Sequence, residues 1–580
     1  MAARIWRRDP ISKLTERREC RCAVGPETGP ETDSNCAYSA GTVGVHRWGQ
    51  ASADHEHGLE GGWLECNLAA PCVPPYNGAP AFFERPSKES SVQMLAMFPR
   101  RGTQTRPKTA WRLVAGALFI AVSGSCIIRQ PVSPTDEAAT ESSSATAASN
   151  ATPVPASGPG AWQPARQPAW GEEPKARHTT NLFVQLLGKS EAEVQAKLTT
   201  AVERFFGINT NESSVPTRME GYKVYYELPQ DPSMAFIWAA ESNDVRSEGV
   251  SYGMTIAVQM NMQREFDRLW RFAKTYMQYP GDHNIPAWRY YFRWQGRVDV
   301  SNPDDWKVNY GPIVVPAPDG EEYFAAALYM ADRRWGSSGD INYLEEAGKI
   351  SWAMLNNPRT GDRFPLIHAK ENKIVFVPYG SSNEHSDPSY HLPAFYELFA
   401  EYGPAEDSER WRAIAEISRE YLAQSAHPDT GLHPDYAKFD GEPTQGYQSS
   451  KHDTFYYDAW RVPLNMALDA EWFGPKPRMK EQVEKYHAFF SKHLGNHNVS
   501  SALFNLDGSE PSGGGSTALT ATLAAGALVS ESPLRETFVE NLWHVQQQSG
   551  EYRYYQQCVY LLGFLAAAGQ FYYDWPSPQG

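Results

Sequence analysis

Four acidic residues, Glu248, Asp319, Asp387 and Asp458, each stand at the predicted start of a helix. Their separations are 71, 68 and 71 residues (319 − 248, 387 − 319 and 458 − 387). An acid at a helix start can simply complement the helix dipole, and Asp387 before a proline is well explained as a cap. The regular interval also fits repeated helical hairpins, which would bring one end of each hairpin to a shared site.

Glu248 and Asp458 are the candidates for acid–base chemistry. Glu248 stands at the start of a predicted helix in NDVRSEGVSYGM, whereas Asp458 stands among aromatic residues in TFYYDAWRVPL. An acid surrounded by aromatic rings is poorly solvated unless it is paired or used. Hydrolysis of a glycosidic bond requires one protonated and one ionised carboxyl group. The sequence contains no P-loop, Rossmann glycine pattern, HExxH or GxSxG motif that would favour another chemistry.

The net charge and the aromatic content of the chain indicate which class of ligand it binds. The formal net charge of −15 argues against a nucleic-acid partner. Aromatic residues make up 13% of the chain, with 18 Trp and 30 Tyr. This content fits a surface on which sugar rings stack, and it fits a purely aromatic core equally well.

The elements that must position these acids are predicted to be almost all helical. Periodicity and end signals predict helices at about 190–206, 248–279, 321–335, 341–356, 388–402, 407–425, 456–473, 477–494, 515–530, 533–548 and 552–573. Eleven or twelve helices fit six hairpins closed into an (α/α)6 barrel, with an open α-solenoid as the alternative. The long junctions 280–320 and 427–455 favour a barrel with a cleft.

The first 126 residues differ from the rest in composition. Residues 1–93 hold five of the seven cysteines, whose spacing matches no paired CxxC pattern, so a zinc site is disfavoured. We predict that this segment is disordered or lies upstream of the true start. Residues 94–126 resemble an export signal, with several basic residues, the apolar run Leu113–Val122 and VSGSC ending at Cys126. A lipid anchor at Cys126 is expected, with ordinary signal cleavage as the alternative.

Residues 127–176 are rich in Pro, Ser, Thr and Ala and are predicted to form a flexible linker. Residues 177–580 are predicted to form one large globular domain. It contains a single cysteine, Cys558, so it needs no disulfide. The export signal and the linker together predict an exported protein, periplasmic or extracellular. Its globular domain is expected to be monomeric and tethered through the linker.

Four motifs carry a resemblance to a known family. NDVRSEGVSYGM, PDGEEYFAAAL, EHSDPSYHLPAFYELF and YDAWRVPLNMALD resemble glycoside hydrolase family 8, and above all its xylan-active members. The resemblance covers about residues 177–574 and implies an all-α, (α/α)6 barrel with an inverting mechanism. It implies that Glu248 is the general acid, that Asp458 is the general base, and that Asp319 positions and distorts the sugar.

The same hypothesis predicts further substrate contacts and needs neither metal nor cofactor. The expected contacts come from residues near the acids, some aromatic and some polar: Arg246, Tyr252, Trp294, His385, Asp387, Tyr390, Tyr457, Trp460 and Arg461.

Other functions are compatible with the same scaffold. The alternatives are an endo-β-1,4-glucanase or chitosanase of the same family, a non-catalytic glycan-binding lipoprotein, and an (α/α)-barrel polysaccharide lyase. Exo-acting members of the family close the cleft with a bulky loop, whereas the corresponding stretch, 507–517, is the glycine-rich DGSEPSGGGST. Release of xylose from the reducing end is therefore one expectation, and cleavage within the chain is the other.

Overall fold

The structure, a computed structural model, describes residues 180–280, 285–311, 315–446 and 451–575. The predicted N-terminal segment 1–93, the signal 94–126 with Cys126, and the linker 127–176 all lie outside the described residues.

Thirteen α-helices lie within the described ranges. They are α1 (Leu182–Leu187), α2 (Glu191–Phe206), α3 (Ser247–Gln259), α4 (Gln263–Phe272), α5 (Pro318–Trp335), α6 (Tyr343–Asn356), α7 (Pro393–Tyr402), α8 (Ser408–Gln424), α9 (Val462–Phe473), α10 (Pro477–Phe490), α11 (Thr517–Gly526), α12 (Arg535–His544) and α13 (Arg553–Ala567).

Six of these helices form a closed inner ring. Each of α3, α5, α7, α9, α11 and α13 packs against the next, and α13 packs against α3. The outer helices α4, α6, α8, α10 and α12 each pack against the inner helix that precedes them, and α2 packs against α13. The predicted (α/α)6 barrel is confirmed, and its sixth pair joins the two ends of the helical domain.

The difference between inner and outer helices follows from their sequences. Every residue of α11 (TALTATLAAG) and of α13 is buried, and α11 carries small or apolar side chains all round, as a helix with no exposed face does. Gly563 of α13 lies against the backbone of Ala521, where an added Cβ would come within 2.7 Å of the Ala521 carbonyl carbon. An outer helix such as α2 buries one face only and begins with a capping box formed by Ser190 and Glu193.

The predicted single helix 248–279 is wrong in one respect. The chain turns at Met260–Met262 and separates α3 from α4, with Asn261 at φ 58°. The apolar spacing continues across this turn because both helices bury a face, so periodicity alone could not reveal it. Asn is one of the few residues that adopts this left-handed conformation readily.

Short antiparallel strands accompany the helices. A five-stranded sheet has the order β1 (Tyr225–Leu228), β2 (Asp231–Ala239), β3 (Asp244–Arg246), β4 (Gln295–Asp299) and β5 (Lys307–Asn309). Two further pairs are β6 (His385–Ser386) with β7 (Ala437–Lys438), and β8 (Leu494–Gly495) with β9 (Asn498–Val499). None of these strands was predicted from the sequence. None of the described helices combines the length and the apolar character needed to cross a membrane.

Candidate active site

The four predicted acids lie at the N-terminal ends of four successive inner helices. Glu248 is the second residue of α3, and Asp319 is the second residue of α5. Asp387 caps the short 3-10 helix Pro388–Tyr390 that precedes α7. Asp458 begins the 3-10 helix Asp458–Arg461 that leads into α9. The ring of inner helices therefore brings together residues that are far apart in the sequence.

One guanidinium group contacts all four carboxyl groups. Nη1 of Arg461 lies 2.9 Å from Oδ2 of Asp319 and 3.3 Å from Oε2 of Glu248. Nη2 lies 3.2 Å from Oδ1 of Asp458 and 3.5 Å from Oδ2 of Asp387. Arg461 is only 3% exposed, and a guanidinium keeps its charge under such conditions. One buried cation thus partly balances four acids.

The starts of α3 and α5 approach closely because of one glycine. A Cβ at Gly320 would lie 2.5 Å from Oγ of Ser247 and 2.6 Å from its Cβ. Ser247 is fixed in turn because its N–H donates to the carbonyl of Trp294 at 2.9 Å. Glu248 follows Ser247 and Asp319 precedes Gly320 in the sequence, so both acids lie at this close contact between the two helices.

Glu248 has the environment of a proton donor. Burial raises the pKa of its carboxyl group, although Arg461, Arg246 and the hydroxyl of Tyr554 act in the opposite direction. The Tyr554 hydroxyl donates to Oε1 of Glu248 at 2.7 Å. The ring of Tyr554 also lies against the guanidinium of Arg246, 5.4 Å from ring centre to Cζ. Glu248 is thus held in a fixed orientation with a raised pKa.

Asp319 and Asp387 also favour their protonated forms. Burial raises the pKa of Asp319 to about 7 against the opposing effect of Arg461, and Glu248 and Asp458 raise it further. Burial raises the pKa of Asp387 well above its ordinary value, and the charge of Asp458 adds to the effect. One oxygen of Asp387 accepts the N–H of Ser389 at 2.6 Å, which confirms the predicted capping role.

Asp458 and Glu248 differ in their partners rather than in their exposure. The roles that the family resemblance implies predict that Asp458 lies closer to solvent or to hydrogen-bond donors than Glu248 does. The exposed fractions of the two side chains are 13% for Asp458 and 15% for Glu248, so the expected difference in exposure is wrong. Asp458 has Arg461 as its ion-pair partner, whereas Glu248 has both Arg461 and Tyr554.

A cavity of about 130 Å³ opens between these acids and two chain segments of the barrel mouth. Six of the residues predicted to act at the site line it, namely Arg246, Glu248, Trp294, Asp319, Tyr390 and Asp458. The remaining wall is formed by Ser247, Val315, Pro316, Ala317, Phe376 and Val377. Carboxyl groups and aromatic rings therefore face the same space, as recognition and cleavage of a sugar chain require.

Other predicted substrate contacts lie behind this wall. Tyr252 and Arg461 are buried, and Nη1 of Arg461 donates to the Tyr252 hydroxyl at 2.8 Å. Asp387 is completely buried. These three residues lie inside the barrel, and the structure does not place them on the cavity wall described above.

The remaining predicted contacts also pack inside the protein. Trp460 is 1% exposed, and its Nε1 donates to the carbonyl of Ala502 at 2.9 Å. Tyr457 is 2% exposed and packs edge-on against Trp460, with the ring centres 5.0 Å apart. His385 stacks on Phe376, with the ring centres 5.2 Å apart. A direct sugar contact by any of these three residues stays a prediction.

Sequence reasoning missed several residues of the site. Tyr554, the second residue of α13, could have been found by applying the helix-start argument to the last inner helix. Ser389, whose hydroxyl accepts from Arg461 at 2.7 Å, and Phe376 carry no comparable signal. The described residues contain no group of three or more His, Cys, Asp or Glu side chains placed to hold a metal ion.

Comparison with known proteins agrees with this geometry. The model of the family "Glycosyl hydrolases family 8" matches residues 238–569. A reducing-end xylose-releasing exo-oligoxylanase, Rex8A of Paenibacillus barcinonensis, is 38% identical over 67% of this chain and 95% of its own length. A reducing end xylose-releasing exo-oligoxylanase of Halalkalibacterium halodurans is 37% identical over 70% of this chain and 96% of its own length.

A solved structure is similar in its three-dimensional fold. It is a catalytic mutant of a family 8 xylanase from Teredinibacter turnerae in complex with xylohexaose. The TM-score is 0.61 at 37% identity, and the match covers 68% of this chain and 97% of that one. The comparison therefore extends over nearly the whole length of that protein.

Proposed function

This chain belongs to glycosyl hydrolases family 8 and is a glycoside hydrolase, and on that premise we propose that it cleaves β-1,4-xylosidic bonds in xylan or xylo-oligosaccharides. The single observation that carries the proposal is the convergence of Glu248, Asp319 and Asp458 on Arg461 at one cavity. The names of the two exo-oligoxylanases and of the xylanase support the choice of xylan over other polysaccharides.

In the proposed reaction, two carboxyl groups act on opposite sides of the sugar. Glu248 gives its proton to the glycosidic oxygen as the bond between that oxygen and the anomeric carbon breaks. Asp458 takes a proton from a water molecule whose oxygen forms the new bond to the same carbon, so the configuration inverts. The protonated form that Glu248 needs is favoured by its burial. Space for the water requires a carboxyl separation of about 6.5–9.5 Å.

Asp319 is proposed to hold and distort the sugar at the point of cleavage. It lines the cavity between the two other acids, and one of its oxygens accepts from Arg461 at 2.9 Å. With a pKa of about 7 it can present a protonated oxygen to a sugar hydroxyl below neutral pH. Such a contact gains strength when the ring flattens towards the transition state.

The products of defined substrates test the proposal. Xylotriose to xylohexaose, barley β-glucan and chitosan are incubated with the enzyme, and products are separated with time. Hydrolysis of the xylo-oligosaccharides alone is expected, and NMR should show the α-anomer as the first new reducing end. Preferred cleavage of β-glucan or chitosan would contradict the assigned substrate and favour the corresponding alternative, and no hydrolysis would favour the glycan-binding alternative.

The position of cleavage follows from the same experiment. Names of similar proteins support release of xylose from the reducing end, whereas the glycine-rich stretch 507–517 supports an open cleft. Xylose together with a shortened oligosaccharide as the only initial products would establish the exo mode. Xylobiose and xylotriose from xylohexaose at the earliest times would establish internal cleavage.

We further propose export and an anchor at Cys126, on the sequence pattern alone. Expression in a bacterial host followed by separation of membranes from soluble fractions tests both. The wild type should follow the membranes, and the Cys126→Ala variant should be released. A soluble wild type, or a variant that stays in the membrane fraction, would contradict the anchor. Size-exclusion chromatography of the released form should show the expected monomer.

A further inference from the structure

Tyr436 is a buried tyrosine near the acid-bearing end of the barrel, and the proposed mechanism does not use it. Its side chain is completely buried, and its hydroxyl has no hydrogen-bond partner among the described residues. Buried hydroxyl groups are normally paired because removing them from water without a partner costs free energy. An unpaired hydroxyl in this position therefore calls for a functional explanation.

The backbone around Tyr436 is well fixed. Ala437 and Lys438 form β7, which pairs with β6, so Tyr436 precedes one strand while Asp387 follows the other. The N–H of Tyr436 donates to the carbonyl of His452 at 2.8 Å, and its own carbonyl accepts from Thr444 at 2.9 Å. The pairing of β6 with β7 thus brings the loop of Tyr436 to the acid-bearing end of the barrel.

The ring of Tyr436 is held between two others. It stacks on His452 with ring centres 4.2 Å apart and an angle of 16°, and it contacts the cavity residue Phe376 at 4.2 Å and 41°. Nδ1 of His452 lies 3.1 Å from Asp435, which also accepts the N–H of Ala459 at 3.1 Å. This second bond attaches the loop of Tyr436 to the residue that follows Asp458.

Several carboxyl groups act electrostatically on the Tyr436 hydroxyl. Burial raises the pKa of Tyr436 well above its ordinary value, and the charges of Asp458, Asp435 and Asp387 raise it further against the effect of Arg461. His385 and His452 are the other titratable side chains against its ring. The hydroxyl therefore stays protonated and can only help its acidic neighbours by donating its hydrogen.

We propose that Tyr436 is a positioning residue for Asp458, and that its hydroxyl donates a hydrogen bond to the Asp458 carboxylate when substrate is bound. This inference rests on the proposed role of Asp458 as the general base. The bond would keep the carboxylate ionised and oriented towards the attacking water. Catalytic hydrogen bonds are often long in the free enzyme and shorten only in the complex with substrate.

The Tyr436→Phe variant tests the proposal because it removes only the unpaired oxygen. The matched control is Tyr279→Phe, which removes another buried hydroxyl without a partner among the described residues. Tyr279 packs against Trp288 and Arg293, and these three residues are not among those that line the cavity. Activity on xylotetraose, the profile of kcat against pH, which reports on the complex with substrate, and the melting temperature are measured for both variants and for Asp458→Asn.

A hydrogen bond to a charged group should be worth about a 10- to 100-fold change in kcat. We expect this loss in Tyr436→Phe with a nearly unchanged KM and melting temperature, whereas Tyr279→Phe should behave like the wild type. The acid limb of the kcat profile should move to higher pH, because the ionised form of the base loses a donor in the complex with substrate.

Three results would count against the inference in different ways. Wild-type kcat in Tyr436→Phe, with Asp458→Asn inactive, would overturn this inference and leave the proposed function intact. A lower kcat with an unmoved acid limb would also overturn this inference. So would a fall in kcat that accompanies a fall in melting temperature, since a structural role of Tyr436 would then explain the loss of activity. An active Asp458→Asn variant would instead overturn the proposed base itself.

Discussion

At the scale of single residues, the site distinguishes its acids by their neighbours. Glu248 and Asp458 have similar exposure and share Arg461, yet only Glu248 also accepts from a tyrosine hydroxyl. Asp319 and Asp387 are more deeply buried than either. Protonation of the general acid therefore depends on the whole cluster, because all four carboxyl groups contact the same cation, Arg461.

Removal of the Tyr554 hydroxyl should change the pH dependence of activity. The hydrogen bond from Tyr554 to Glu248 lowers the pKa of Glu248 by favouring its charged form. In Tyr554→Phe that pKa should rise, so the alkaline limb of kcat/KM should move to higher pH, since the acid stays protonated longer. An unmoved or lower alkaline limb would show that Glu248 does not control this limb.

At the scale of elements, close packing of α3 against α5 places two of the acids. The Gly320→Ala variant should force the helix starts apart, because the new Cβ would overlap Ser247. We expect the free energy of unfolding to fall by about 1–3 kcal/mol, together with a large loss of kcat. Urea denaturation and steady-state kinetics measure the two effects.

Gly339 provides the matched control for this variant. No atom lies within 4 Å of a Cβ built at Gly339, which also lacks a positive φ. Gly339→Ala should therefore keep both stability and activity. Equal behaviour of the two alanine variants would show that the helix contact at Gly320 is not important for the site.

The helices and the convergence of the acids could be predicted from sequence, whereas several finer features could not. Periodicity and helix-start residues locate the inner helices, and the interval of about 70 residues indicates that their ends share a site. The turn at Asn261 and the strand pairs escape detection because their residues also fit longer helices or loops. The interior position of Trp460 depends on packing between distant segments, which no local pattern records.

At the scale of the whole molecule, several buried carboxyl groups should make stability depend on pH. Burial raises the pKa values of Glu241, Asp319 and Asp435 to about 7, from ordinary values of 4.5 for Glu and 3.8 for Asp. Their contribution to stability is fully present when the pH is below the ordinary pKa values. It is lost as the pH rises through about 7, because the folded state holds these protons more tightly than the unfolded chain does and must then release them.

A variant of Glu241 isolates one part of this effect. Both carboxyl oxygens of Glu241 are buried without a hydrogen-bond partner among the described residues. The melting temperature is measured at pH 5 and pH 8, on either side of the Glu241 pKa of about 7. It should fall less between these two pH values in Glu241→Gln than in the wild type. The exposed Glu220→Gln variant serves as control and should leave the fall unchanged. A Glu241→Gln variant with the wild-type dependence would contradict the predicted burial effect.

The helical domain should also work without the N-terminal segments. The inner ring is closed by contacts among the helices from α3 to α13, and α2 packs against α13, so deletion of residues 1–176 should not remove a packed element of the ring. We expect the shortened chain to keep the melting temperature and the kcat of the full chain. A loss of either in the deletion variant would show that the first 176 residues contribute to folding or to the site.

The most direct test of the account compares Glu248→Ala with Asp458→Ala on two substrates, a xylo-oligosaccharide and an aryl xylobioside whose leaving group is acidic. An acidic leaving group needs little help from a proton donor. We predict that Glu248→Ala recovers a substantial part of its rate on the aryl substrate, whereas Asp458→Ala stays inactive on both until azide is supplied. Near-normal hydrolysis of the xylo-oligosaccharide by Asp458→Ala would contradict the assignment and would move the search for the base to Asp319 or Asp387.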